Sequence, residues 1–196
     1  MDRTTRPLVI FAAFAGSLLV GLVIMLWALG GLRTVTAPAV IGGPFQLTDQ
    51  AGQTVTDKNL KGRPTLIFFG FTHCPDVCPT SLFEISEVLK AMGKDADRVN
   101  AYFVSVDPER DTAAAMKDYL SSFDPHLKGL TGDAEAVATV LSAYRVYSKK
   151  VTLKDGDYTM DHTALIYLMD RDGNFVSPFN LKRTPEEAAV DLKRYL

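Results

Sequence analysis

The longest apolar stretch of the chain comes first. From Pro7 to Leu32 no residue is charged, and "LVIFAAFAGSLLVGLVIMLWALGGL" exceeds the about 20 apolar residues that a helix needs to cross a bilayer. Beyond it the pattern breaks into short runs. A Pro/Gly-punctuated stretch leads into a short hairpin with "DQAG" as its turn. "RPTLIFFGFT", Arg63 to Thr72, is a continuous apolar and aromatic run after a Gly/Pro break, and predicts a buried central strand. Leu82, Phe83, Ile85, Val88, Leu89 and Met92 follow at helical spacing, in a helix expected to begin at Pro79. "VNAYFVSV" predicts the next strand, ended by Asp107-Pro108, and "TAAAMKDYLSSF" a helix capped by Asp111. "GLTG" reads as a short strand or turn, and "DAEAVATVLSAY" as a helix capped by Asp133. "DHTALIYLMDRDGNFVSPF" predicts two strands around Asp172-Gly173. "TPEEAAVDLKRYL" is a closing helix with a capping box of Thr184 and Glu187 and Pro185 at its first position.

Strands alternating with helices, then a hairpin and a last helix, give an α/β class. The arrangement is that of a thioredoxin-like fold with N-terminal and C-terminal β-hairpin elaborations, preceded by one transmembrane helix. The expected division is a short cytoplasmic N-terminus at 1–6, an anchor at 7–32, a linker at 33–43 and the folded domain at 44–196. Arg3 and Arg6 precede the anchor while Arg33 alone follows closely. The positive-inside rule then keeps the N-terminus in the cytoplasm. The expected setting is a bacterial inner membrane, single-pass, with the C-terminal domain in the periplasm. "APA" at 37–39 mimics a signal-peptidase site, so removal of the segment stays open. A net charge of -2 gives no reason to expect nucleic acid.

The chain has two cysteines, Cys74 and Cys78, each followed by proline, where the central strand meets its helix. Ligands of open α/β sheets sit at that carboxyl edge. A disulfide closing so short a loop constrains the unfolded chain little, which argues against a purely structural bridge. A helix N-terminus favours thiolate, the form needed for both metal binding and disulfide exchange. Dithiol oxidoreductases have two residues between their cysteines, and here there are three. Peroxidase-type cysteines follow a Thr or Ser by three positions, whereas here those positions are Phe71 and Pro75. Where a thioredoxin turns a cis-proline towards its cysteines, this chain has His162 in "TMDHTALIYL". Two thiolates and one imidazole suit Cu(I) in three-coordinate geometry. Structural zinc prefers four ligands, and no fourth is evident. Asp107, at the end of a parallel strand, and Asp161, beside His162, are candidate supporting acceptors for such a site. The plain alternative for Asp107 is a turn cap before Pro108, and against Asp161 stands that neighbouring residues on an extended segment point oppositely. Met160 shares the face of His162 and reads as packing. His73, His126 and the run "RVYSKK" read as solvent-facing, with the last able to steer an acidic partner.

"FFGFTHCPDVCPTSL", "VSVDPERDT" and "DHTALIYLMDRDG", behind one N-terminal anchor, resemble the Sco/SenC family of copper-binding proteins for cytochrome c oxidase assembly. The resemblance implies one copper per chain, as Cu(I) with Cu(II) admitted, on Cys74, Cys78 and His162. It also implies cytochrome c oxidase subunit II as partner, together with a periplasmic thiol reductant and a copper donor protein. Two other roles stay open. One is a thiol-disulfide reductase acting through Cys74 and Cys78 as a redox-active pair, and the other is a redox or copper sensor. Whether the chain is an enzyme is thus left undecided by the sequence.

Overall fold

The run Thr65–Gly70 is a strand in which every residue is buried, because both faces of the sheet are covered there. Phe69 turns its ring to Tyr144 and Tyr167, at centroid distances of 5.6 and 5.4 Å. Phe68, on the opposite face, meets Phe103 at 5.8 Å. The computed structural model describes residues 6–30 and 40–196, and within the first span the side chains of Phe11 and residues 13–28. In chain order the elements are helix α1 (Arg6–Gly30), strands β1 (Gln46–Asp49), β2 (Thr54–Thr56) and β3 (Thr65–Gly70), and helix α2 (Val77–Met92). Then come β4 (Asn100–Ser105), α3 (Ala113–Leu120), β5 (Leu127–Thr131) and α4 (Ala134–Ala143). The chain closes with β6 (Ser148–Thr152), β7 (Tyr158–His162), β8 (Ile166–Met169), β9 (Phe175–Pro178) and α5 (Pro185–Lys193).

Residues 40–196 form one unit around a seven-stranded sheet of order β2-β1-β5-β4-β3-β8-β9. Strands β3, β4 and β5 are parallel, while β1 and β8 run antiparallel to their neighbours β5 and β3. Helix α2 packs against α5, α3 against β5 and α4 against β1. The expected caps at Asp133 and Thr184 are present, the latter with its full capping box.

Other expectations need correction. Helix α2 begins at Val77, two residues before Pro79. Amides of the first helical turn have no intrahelical partner, so a proline there sacrifices no hydrogen bond. Asp111 does not cap α3. Thr112 does, its hydroxyl accepting from the Ala115 amide at 3.2 Å. The segment expected as one strand from Asp161 is split, with Asp161 and His162 ending β7 and the next strand starting at Ile166. Strands β6 and β7 form a separate two-stranded ribbon. It went unread because the charges of "RVYSKK" masked the strand, although Asp155-Gly156 is a turn dipeptide, with Gly156 at φ 91°.

For the expected anchor, α1 exposes Phe11, Phe14, Leu18, Leu19, Ile24, Met25 and Trp27. Among the described residues, however, no helix is long and apolar enough to cross a membrane. Residues 1–5 and 31–39 lie outside the described residues, and with them Arg3, Arg33, the "APA" stretch and most of the expected linker.

His126 is not merely solvated. Its Nδ1 stands 2.6 Å from Asp124 Oδ1 and its Nε2 3.1 Å from Asp97 Oδ1. Hydrogen bonding to Asp124, then to Asp97, raises the imidazole pKa above its ordinary value. A raised folded-state value stabilises fully below the unfolded pKa of about 6.5 and is lost as pH rises through the folded value. The melting temperature of wild type should therefore exceed that of His126→Gln by more at pH ~5.5 than at pH ~8.5. A difference independent of pH would refute this account.

Candidate metal and thiol site

After β3 the chain turns through Thr72 and His73 into the cysteine loop. Asp111 anchors this turn from within the protein. Its carboxylate accepts from the Thr72 hydroxyl at 2.6 Å, the Thr72 amide at 3.2 Å and the Ser105 hydroxyl at 2.7 Å. Burial raises the Asp111 pKa, and the bonds from Ser105 and Thr72 oppose that shift. This fully buried carboxylate therefore ties the loop before Cys74 to the end of β4.

The two thiols occupy unlike positions. Cys74 is half-buried and precedes α2, while Cys78 lies inside the first turn of that helix with no exposed surface. The Cys78 amide donates to Cys74 Sγ at 3.4 Å, so this sulfur meets an otherwise orphaned N–H at the positive end of the helix. Burial pushes the Cys78 thiol far above its usual range, outweighing the lowering effect of its bond with the Phe71 backbone. Gly70 makes room for this buried sulfur. A Cβ there would lie 2.8 Å from Cys78 Sγ and 2.6 Å from the Phe103 ring.

His162 comes from the far side, at the end of β7. Its Nε2 stands 3.9 Å from Cys78 Sγ, and its Nδ1 lies 3.1 Å from the Thr163 carbonyl oxygen. With Nδ1–H donating to that carbonyl, Nε2 keeps its lone pair facing the sulfur. The Phe71 ring meets the imidazole edge-on, at 5.8 Å and 87°. With zinc-like bond lengths, a sulfur ~2.3 Å and a nitrogen ~2.0 Å from one ion at ~120° stand ~3.7 Å apart. The Cys78–His162 separation is compatible with a shared ion. As placed, no group of three or more His, Cys, Asp or Glu among the described residues is drawn together closely enough to hold a metal.

Neither expected supporting carboxylate joins this cluster. His162 Nδ1 is engaged by the Thr163 carbonyl, and exposed Asp161 has no hydrogen bond to it among the described residues. Asp107 is buried and bound to Arg110 and Tyr158. His73 is exposed and Met160 packs on the core, both as read. Sequence reasoning missed Gly70, Asp111 and Thr163, whose roles depend on contacts made only in the fold.

A sequence model of the SCO1/SenC family matches residues 33–196. This chain belongs to the SCO1/SenC family. It is 45% identical over 139 residues to the mitochondrial SCO1 homolog 1 of Arabidopsis thaliana, covering 70% of this chain but 42% of that protein. It is 37% identical over 190 residues to a SCO2-like protein of Rickettsia felis, covering 90% of this chain and 92% of that relative. Among solved structures, ScoI of Bradyrhizobium japonicum with copper bound is 82% identical, with a TM-score of 0.78. That match covers 80% of this chain and 99% of the other, and supports the expected thioredoxin-like Sco fold.

Two outcomes are expected from the unequal cysteines. In the reduced, metal-free protein at pH ~8, iodoacetamide should label Cys74 at least ~10-fold faster than Cys78, since thiolate and access set the rate. Urea should erase the difference, and equal labelling of the folded protein would contradict the burial of Cys78. Gly70→Ala should cost ~1–3 kcal/mol through overpacking, measured by urea unfolding. An unchanged midpoint would show that Phe103 and Cys78 yield freely.

Proposed function

We propose that this SCO1/SenC chain is a membrane-anchored copper carrier that binds one ion through Cys74, Cys78 and His162. Its cargo would serve the dinuclear copper centre of cytochrome c oxidase subunit II. The observation that carries this reading is His162 Nε2 standing 3.9 Å from Cys78 Sγ. Support for copper as the cargo comes from the copper-bound ScoI structure of Bradyrhizobium japonicum, 82% identical to this chain. The donor chemistry agrees, since thiolate sulfur and imidazole suit Cu(I).

In this reading α1 belongs to an anchor in a bacterial inner membrane, and the domain at 44–196 faces the periplasm. Its uncharged sequence from Pro7 to Leu32 and the charge bias across it support that placement. There a disulfide between Cys74 and Cys78 must be opened before loading. A thiol reductant supplies two electrons, leaving as its own disulfide, and the cysteines gain two protons. A donor protein then transfers copper by ligand exchange. Binding displaces the thiol proton that burial holds on Cys78, so loading weakens as pH falls. With Nδ1 engaged by the Thr163 carbonyl, Nε2 is the ring nitrogen that faces the ion.

A thiol-disulfide reductase is the rival reading, favoured by the half-buried Cys74 over a helix N-terminus beside a buried partner thiol. His162 separates the two, because only copper binding uses its lone pair. The test loads the reduced full chain with Cu(I) in detergent, without oxygen, against a graded chelator. We expect one tightly held copper, lost in Cys74→Ala and Cys78→Ala and weakened ~10–100-fold in His162→Ala. Wild-type affinity in His162→Ala would remove that ligand. Little retained copper, with rapid reduction of an oxidised dithiol peptide, would establish the reductase instead.

A further inference from the structure

The β6–β7 ribbon carries His162 but shares no backbone ladder with the main sheet. The reach of His162 to Cys78 therefore depends on what fastens the ribbon to the body. The hydrogen bonds between Tyr147 and Thr163 join the two ends of the ribbon to each other and do not tie it to the body. Met160 packs on the core, and the polar contacts from ribbon to body centre on one side chain. Arg110 lies in the turn after β4, and its Nε donates to Asp107 Oδ2 at 2.5 Å. Its Nη1 donates to the Tyr158 carbonyl at 3.0 Å, and its guanidinium carbon lies 3.7 Å from the centre of the Tyr158 ring. Tyr158 completes the loop by donating its hydroxyl to Asp107 Oδ1 at 2.9 Å. Burial and the Asp107 carboxylate push this phenol up to about 12, so the donor stays protonated at neutral pH. Lys150, also on the ribbon, stands 3.8 Å from the same ring and pairs with Glu109 at 2.6 Å. The Arg110 guanidinium also lies 5.8 Å from the Phe71 ring, the ring that meets His162 edge-on.

We propose that Arg110 is the positioning residue of the metal site, latching the ribbon so that His162 Nε2 stays within reach of Cys78 Sγ. The proposal rests on the ligand set given above. Tyr158 and His162 are the two ends of one five-residue strand, so a clamp on the first limits the freedom of the second. Arg110 suits the task because its planar fork serves Asp107 and the Tyr158 carbonyl while its face covers the ring. Lysine offers a point charge that cannot meet all three. Loss of the guanidinium would leave Asp107, 2% exposed, without its cation, and the ribbon without its clasp.

A purely structural role predicts lower stability alone, whereas a positioning role predicts a loss that passes through His162. The experiment measures Cu(I) affinity of the full chain in detergent for wild type, Arg110→Met, His162→Ala and the double variant. Arg110→Met should bind ~10–100-fold more weakly, the scale on which residues supporting metal ligands act. Arg110→Lys should fall between it and wild type. In the His162→Ala background Arg110→Met should add no more than ~2-fold, because the two losses are one and the same. Nitrogen splitting in the Cu(II) electron paramagnetic resonance spectrum should weaken in Arg110→Met and be restored in part by Arg110→Lys. If Arg110→Met fails to fold, Tyr158→Phe keeps the test alive. Losing one hydrogen bond, it should weaken copper ~3-fold with His162 present and not without it. Wild-type affinity in the Arg110 and Tyr158 variants while His162→Ala weakens binding would overturn the latch alone. So would losses that persist undiminished without His162. Wild-type affinity in His162→Ala would instead overturn the ligand set on which the latch depends.

Discussion

Burial of β3 on both faces is the constraint from which the site is built. Phe68 and Phe69 pack in opposite directions into aromatic clusters, and this fixes the strand in the middle of the sheet. Its carboxyl end then has little freedom. Gly70 leaves space for the Cys78 sulfur beside Phe103, and Asp111 gathers the Thr72 turn onto the end of β4. The cysteine loop is thus held at its base by a packed ring and a buried carboxylate. Thr72, Ser105 and Asp111 come from three different segments, and only the parallel pairing of β3 with β4 brings them together.

From that rigid base the two thiols acquire different characters. Cys74 faces the start of α2 and receives its amide, whereas Cys78 is turned into the core and kept neutral by burial. Such a pair has one sulfur accessible to an incoming partner and one shielded from it. The shielded sulfur is also the one facing the imidazole, so thiol proton and histidine meet at Cys78. In the proposed copper site, the apolar surroundings that raise its pKa would make metal occupancy answer to pH.

The other half of the site is held by different means. The β6–β7 ribbon has its own ladder, and its polar ties to the body are side-chain contacts of Arg110, Asp107, Tyr158 and the Lys150–Glu109 pair rather than sheet hydrogen bonds. A side-chain latch is easier to open than a backbone ladder, since it has few bonds. The SCO1/SenC domain combines a thiol-bearing core with such a histidine-bearing ribbon.

Much of this was legible in the sequence. The unbroken apolar run of β3, the helical spacing of α2, the caps at Asp133 and Thr184 and the Asp172-Gly173 turn are local signals, and local physics decides them. Cys74, Cys78 and His162 stood out as candidates because sulfur and imidazole have few roles at the carboxyl edge of such a sheet, and the fold brings Cys78 and His162 within 3.9 Å. The sequence did not reveal that α2 starts at Val77, that Asp111 is a buried anchor and not a cap, or that a charged run is strand β6. Nor did it mark Asp107 and Arg110 as partners of Tyr158, about fifty residues away. Those assignments depend on burial and on contacts between distant segments, which exist only once the chain has closed on itself. Residue type and spacing determined which donors were available, and tertiary packing decided which of them face one another.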